Sequence, residues 1–155
     1  MDLRMCEVTA ENWMEIATLS VNEDQKNYIE SNVFSLAQSK FEPQWKSIGL
    51  YDREILVGYA MIGRDKSSGR VWLDRFMIDR NHQGNGYASR FLPMLIKVIK
   101  EHYHCDHIYL SVYPDNVPAK HLYEKFGFRE NGEMDEEGIV QGLVMELDLT
   151  RRSTG

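Results

Sequence analysis

"DRNHQGNGYASRFL", residues 79–92, sets two glycines between a stretch that reads as a strand and one that reads as a helix. Glycine at such a junction either makes a tight turn or lets something come close to the backbone. A Walker-type loop needs Lys and Ser or Thr directly after its last glycine, but Tyr87 and Ala88 stand there. A dinucleotide fingerprint needs G-x-G-x-x-G; Gly84 and Gly86 satisfy it and Ser89 does not. The pattern Q-x-x-G-x-A fits Gln83, Gly86 and Ala88. There, bare backbone wraps a pyrophosphate and the free N–H groups of the first helical turn donate to it, aided by the helix dipole. A glycine turn that only closes a strand–helix link uses the same residues, so this stretch alone leaves both readings open.

Working outward, "RVWLDRFMID" (70–79) before the glycines is β-rich. After them, Phe91, Leu92, Leu95, Ile96 and Ile99 repeat at helical spacing, with Pro93 inside the run. Upstream, "LRMCEV" (3–8) alternates as a strand. Residues 9–21 read as a helix behind a capping Thr9, with Trp13, Ile16, Ala17 and Ser20 on one face. "NYIESNVFSLAQSK" (27–40) is a second helical stretch that includes Glu30. "WKSIGLYD" and "EILVGYAMIGR" form a hairpin around residues 52–54. Downstream come a strand in "HIYLSVY", a helix in "NVPAKHLYEKFG", and two last strands in "FRENGEM" and "IVQGLVMELDL". The acidic run "ENGEMDEEG" reads as a solvated hairpin turn with Gly138 and lacks calcium-loop spacing. Hairpins mixed with helical crossovers imply an α/β domain on a mixed sheet of about seven strands with about four helices.

The helix at 116–127 carries a second pattern. Asn116 stands at its N-cap, Pro118 in its first turn and Gly127 at its end. Asn116, Ala119 and Tyr123 fall on nearly one face, followed by Gly127 and Phe128. A core helix explains Leu122, Phe126 and Gly127, but not a tyrosine and a cap asparagine sharing a face turned towards the glycines.

With both motifs in view, the chain resembles the GNAT N-acetyltransferase superfamily, most closely its bacterial spermine/spermidine and diamine acetyltransferases. The resemblance covers nearly the whole chain in element order and is sharpest at residues 71–92 and 108–128. It implies a GNAT-like single domain over 1–150 with a frayed tail at 151–155. It implies acetyl-CoA as cosubstrate, with no metal, and a small primary amine as acceptor. By the same resemblance, the strand at Phe76, Met77 and Ile78 bonds the pantetheine arm, and an N–H of Met77 or Ile78 polarises the thioester carbonyl. Gln83, Gly84, Asn85, Gly86, Tyr87, Ala88, Ser89 and Arg90 hold the pyrophosphate. Asn116 meets the sulfur end, and Tyr123 is the general acid there. A phenol near ~10 can protonate a thiolate whose acid form lies near ~8.5.

The acceptor side is read from residue chemistry. A polyamine requires carboxylates for its ammonium groups and aromatic walls for its methylenes. Asp74, at the same strand parity as Trp72 and Phe76, is either an amine anchor and proton acceptor or a partner of Arg75 or Arg70. By the resemblance, Glu30 lies in the helical stretch that borders the acceptor site, and it is either part of that site or an exposed helix charge; Trp72 and Tyr113 complete the expected acceptor set, with Tyr28, Trp45 and Tyr51 as further aromatics.

Composition narrows the function classes. The chain has 155 residues, 43% hydrophobic and 27% charged, which suits one soluble domain. A net charge of −6 removes the electrostatic case for nucleic acid as partner. No membrane span or export signal is visible, and two cysteines make no disulfide framework, so a cytoplasmic protein is expected. "HYHCDH" (102–107) matches no standard zinc spacing. A homodimer is the expectation carried for assembly. The competing readings are a GNAT enzyme for an antibiotic, an amino acid or a protein N-terminus, and an acyl-CoA sensor without turnover; Tyr123 argues against the sensor.

Overall fold

The computed structural model describes residues 1–136 and 141–150. Its element order is β1 (Leu3–Glu7), α1 (Trp13–Thr18), α2 (Asn32–Phe41), β2 (Trp45–Asp52), β3 (Ile55–Arg64), β4 (Val71–Ile78), α3 (Tyr87–Tyr103), β5 (His107–Val112), α4 (Val117–Lys125), β6 (Arg129–Asp135) and β7 (Gly142–Asp148). Single 3₁₀ turns stand at Glu23–Gln25 and Arg80–His82. The seven strands run β1-β2-β3-β4-β5-β7-β6 and are antiparallel except for β4 and β5. The expected turn at Gly138, the start of the last strand at Ile139 and Val140, and the tail at 151–155 lie outside the described residues. Among the described residues no helix is long and apolar enough to cross a membrane.

The sheet buries both faces. On one, Phe91, Leu92, Leu95 and Ile99 of α3 pack on Val57, Val71, Leu73, Ile108, Leu110 and Met145. Ala119, Leu122 and Phe126 bring α4 to the same face. On the other, Ile16 of α1 and Leu36 of α2 cover Trp45, Tyr51, Tyr59, Met61 and Met77.

Two boundaries differ from expectation. The second helix starts at Asn32, capped by the Ser31 hydroxyl, which accepts from Phe34 N at 3.1 Å. Glu30 therefore precedes the helix, and residues 27–30 are turn and coil. In α1, Asn12 occupies the N-cap position and Thr9 lies a turn earlier, its carbonyl accepting from Trp13 N at 3.1 Å.

A third difference bears on the site. In the β3–β4 register Met61 faces Arg75 while Ile62 faces Leu73, so Asp74 is the extra residue of a β-bulge. The bulge reverses parity. Val71 and Leu73 belong to the α3 face before it, and Phe76 and Ile78 after it; Trp72 and Met77 belong to the other. Trp72 and Phe76 consequently lie on opposite faces, and the shared parity read from sequence does not hold.

Pro93 is tolerated because it points to solvent, so the Ser89 carbonyl loses its helical donor on the wet side of α3. Pro93→Ala restores that bond, and urea unfolding should show a gain of about 1 kcal/mol or more. An unchanged or lower stability would mean that proline stiffens the unfolded chain by as much as it costs the helix.

Candidate active site

β4 and β5 share a single paired position, Trp72 with Tyr109. Beyond it the two strands diverge, and a cavity of about 1100 Å³ runs through the gap. It is lined by β4 from Trp72 to Ile78, the end of β5, the start of α3, one face of α4, and residues of α2 and the segment before it.

The backbone of β4 offers donors there. Asp79 N donates to Val57 O at 2.8 Å, and Ile78 O accepts from Gln83 Nε2 at 3.0 Å. Strand alternation then turns Met77 and Asp79 towards β3, and Phe76 and Ile78 towards the gap. Of the two donors considered from sequence, Ile78 is the one whose N–H faces the cavity.

At the start of α3, Gly84 and Gly86 both have φ of +81°, and a Cβ on either would meet nothing within 4 Å. The glycines thus serve a left-handed backbone on an open face rather than internal packing. Of the side chains expected here, several are engaged within the protein. Tyr87 donates to Asp52 Oδ2 at 2.6 Å, Asn85 to His82 O at 3.1 Å, and Ser89 to Gly86 O at 3.1 Å. Gln83 accepts from Asn22 and donates to Gln25 and Ile78 O, each at 3.0 Å. Arg90 is exposed. What this turn presents to a ligand is chiefly backbone. An extended donor strand followed by a bare helix N-terminus fits a pantetheine–pyrophosphate group.

On α4, Asn116 caps the helix by accepting from Ala119 N at 3.4 Å. Tyr123 lines the same cavity, and its ring meets Phe128 edge-on at 5.8 Å. Among the described residues its hydroxyl has no hydrogen-bond partner, and burial raises its pKa well above that of a free phenol.

The opposite wall is charged. Arg75 lies 2.5 Å from Asp74 Oδ2 and 3.1 Å from Glu30 Oε2, and donates to Gln38 Oε1 at 3.0 Å. Arg75 and Glu30 are nearly buried, at 9% side-chain exposure each, so this pair is shielded from water. Burial lifts the Asp74 carboxyl to about 6 against the pull of Arg75, with Glu30 and Asp135 adding to the rise. Asp135 on β6 accepts from Ser111 Oγ at 2.5 Å and also lines the cavity. Asp135, Ser111, Gln38 and Arg75 were not singled out from sequence. Only the charge of Arg75 beside Asp74 gave any signal.

The aromatics sort into wall and core. Tyr28 stacks on Tyr113 with centroids 5.1 Å apart, and both line the cavity, as do Trp72 and Trp45. Tyr51 belongs to the core. Arg70 is drawn away to Glu133 at 2.9 Å and over the Tyr109 ring. The "HYHCDH" side chains go separate ways: His102 meets Lys46, His104 caps α3 at φ 49°, and His107 lies 3.9 Å from Asp148. No group of three His, Cys, Asp or Glu among the described residues is arranged to hold a metal ion.

The raised Asp74 carboxyl makes stability depend on pH. Asp74 holds its proton more tightly folded than unfolded, so its contribution is full below the unfolded value near 3.8 and is lost as pH rises through about 6. The loss is on the order of 3 kcal/mol at most. Asp74→Asn escapes it, so its melting temperature relative to wild type should rise between about pH 4 and about pH 6.5 and level off above that. A flat or falling difference would show that Arg75 holds Asp74 ionised at low pH.

Comparison with known proteins agrees with this geometry. Residues 10–128 match the Acetyltransferase (GNAT) family. The chain is 42% identical to the spermine/spermidine N(1)-acetyltransferase of Bacillus subtilis (strain 168), over 95% of this chain and 100% of that protein. Its fold superposes on spermidine N-acetyltransferase from Vibrio cholerae, solved with CoA and spermine, with TM-score 0.75, 22% identity and coverage of 96% of both chains. Nourseothricin acetyltransferase shares the fold at TM-score 0.68 and 16% identity, over 96% of this chain and 99% of that one. A splayed β4–β5 pair, a bare helix N-terminus and a half-buried tyrosine thus stand in a chain that belongs to the GNAT acetyltransferase family, as an acetyl-CoA-dependent N-acetyltransferase.

Proposed function

We propose that the acceptor is a polyamine of the spermidine or spermine kind and that the acetyl group moves by direct attack of its primary amine. The charge of the cavity carries this reading. Glu30, Glu42, Asp65, Asp74 and Asp135 line it, with Arg75 the one Lys or Arg side chain among the described lining residues. Such a wall favours an acceptor with several positive charges. Tyr28, Tyr113 and Trp72 provide faces for its methylenes and cationic groups. The 42% identity to a spermine/spermidine acetyltransferase supports the same substrate class.

When bound, acetyl-CoA supplies the acetyl thioester that the amine attacks. The Ile78 N–H donates to the carbonyl oxygen as negative charge gathers on it. Asp74 accepts the amine's proton, directly or through water, and Glu30 and Asp135 hold the distal ammonium groups. Tyr123 gives its proton to the departing sulfur, and Asn116 orients that end. The turn from Gln83 to Arg90 receives the pyrophosphate on its backbone N–H groups. Assembly as a homodimer is carried with this reading, and sedimentation velocity reads it.

Three measurements test these assignments. Acetyl-CoA should raise the melting temperature of the wild type but not of Gly86→Val, because a β-branched residue resists φ of +81° and crowds the approach. Unchanged affinity in that variant would remove the pyrophosphate site from this turn. Tyr123→Phe should lower turnover on the order of a hundredfold with little change in acetyl-CoA affinity. Full activity would pass the acid role to water. Free-thiol release across an amine panel should favour polyamines, and Asp74→Asn should raise their KM by roughly ten- to hundredfold. Wild-type kcat/KM should show an acid limb near pH 6 that this variant lacks. Preference for an antibiotic or amino acid would overturn the polyamine assignment.

A further inference from the structure

The side chain of Gln83 is spent inside the protein, and its partners lie on both sides of the active site. Its Nε2 donates to Ile78 O and to Gln25 Oε1, and its Oε1 accepts from Asn22 Nδ2, each at 3.0 Å. Asn22 caps the 3₁₀ turn Glu23–Gln25, and that turn leads directly to Tyr28 and Glu30. Tyr28 stacks on Tyr113, and Glu30 pairs with Arg75. Two more contacts tie the same pieces together: Asp79 Oδ1 accepts from Ser20 N at 3.0 Å, and Arg80 N donates to Ser20 O at 2.8 Å.

From this arrangement we infer that Gln83 is a positioning residue for the amine acceptor as well as for acetyl-CoA. One amide fixes three things relative to each other: the glycine turn, the Ile78 peptide, and the segment at 22–30 that forms the acceptor wall. Few side chains could replace it. The site needs one acceptor for Asn22 and two donors for Gln25 and Ile78, and an amide supplies both kinds of group. Glutamate keeps the acceptor but loses the donors. Alanine loses all three bonds and leaves Ile78 O unpaired at the cavity edge.

A residue that served only the pyrophosphate would affect acetyl-CoA alone. The inference separates the two substrates. It rests on the acceptor lying against the 22–30 segment but not on the acceptor being a polyamine, since any amine that the wild type turns over can be used. Gln83→Ala should raise the KM for that amine by roughly five- to tenfold and also weaken CoA binding, read by calorimetry, by several-fold, because it frees both the 22–30 segment and the Ile78 peptide. Asn22→Ala, remote from the reacting atoms, should raise the amine KM in the same direction with CoA affinity unchanged. In the double variant the two effects should not add, because both break the same link. Melting temperatures of each variant separate this from a general loss of fold. Additive effects on the amine KM, a loss confined to CoA affinity, or wild-type kinetics in both single variants would each overturn the inference.

Discussion

The active site depends on a parallel strand pair that is joined at one position. Beyond Trp72 and Tyr109, β4 and β5 separate, and the gap-facing N–H and C=O groups of β4 have no strand to bond. Unpaired backbone groups inside a protein are costly unless something satisfies them. Part of the answer is internal, since Gln83 takes Ile78 O. The rest faces the cavity and suits an extended ligand with amide groups of its own. The sheet survives the split because α3 spans it. Phe91, Leu92, Leu95 and Ile99 pack on residues from both halves, and burying each large apolar side chain contributes about 1.5–3 kcal/mol. Apolar packing takes over from ladder hydrogen bonds, which frees the backbone for binding.

The bulge at Asp74 is the second device in the same strand. An extra residue opposite β3 bends β4 and reverses which face each later residue meets. It places Arg75 where it reaches Glu30, Gln38 and Asp74 together. A buried guanidinium between two carboxylates contributes little net stability, because desolvation offsets much of the attraction. Its effect is positional: the start of α2 is held against β4 by a cation that belongs to the protein. The cleft keeps an excess of negative charge while two of its carboxylates stay fixed in place.

The chain order of elements, both motifs and the glycine turn are legible from sequence because each is local. Helical spacing gives α3, an asparagine and a proline mark the start of α4, and paired glycines mark the junction. What sequence hid depends on register or on distant contacts. The parity of Asp74 could not be read, because a bulge is a relation between two strands and leaves no mark in one. Glu30 looked helical because polar turn residues adjoin a real helix, and the Ser31 cap marks the boundary. In sequence Asp135 is one residue of a solvated acidic run; only the β6–β7 pairing and Ser111 bring it to the cavity. Gln83 was recognised by position in its motif, but its partners Asn22 and Gln25 lie far upstream, with no local signal linking them.

The proposed proton chemistry rests on two different acids set in one cleft, each partly shielded from water. Desolvation raises the pKa of both Tyr123 and Asp74, with opposite consequences. On that proposal a half-buried phenol stays protonated until a thiolate forms beside it. A carboxyl raised to about 6 is still ionised near neutral pH, yet it is a far stronger base than an exposed aspartate. An alkylammonium near ~10 gives up its proton to such a base at a cost of about 5 kcal/mol. Turnover at about 10 per second corresponds to a barrier of about 16 kcal/mol, so that transfer leaves about 11 kcal/mol for the attack itself. At an unshifted 3.8 the same transfer would cost about 3 kcal/mol more, roughly a hundredfold in rate. Arg75 sets the limit from the other side. Without that cation the neighbouring carboxylates would push Asp74 higher still, leaving less of it ionised near neutral pH and less of it able to act as a base.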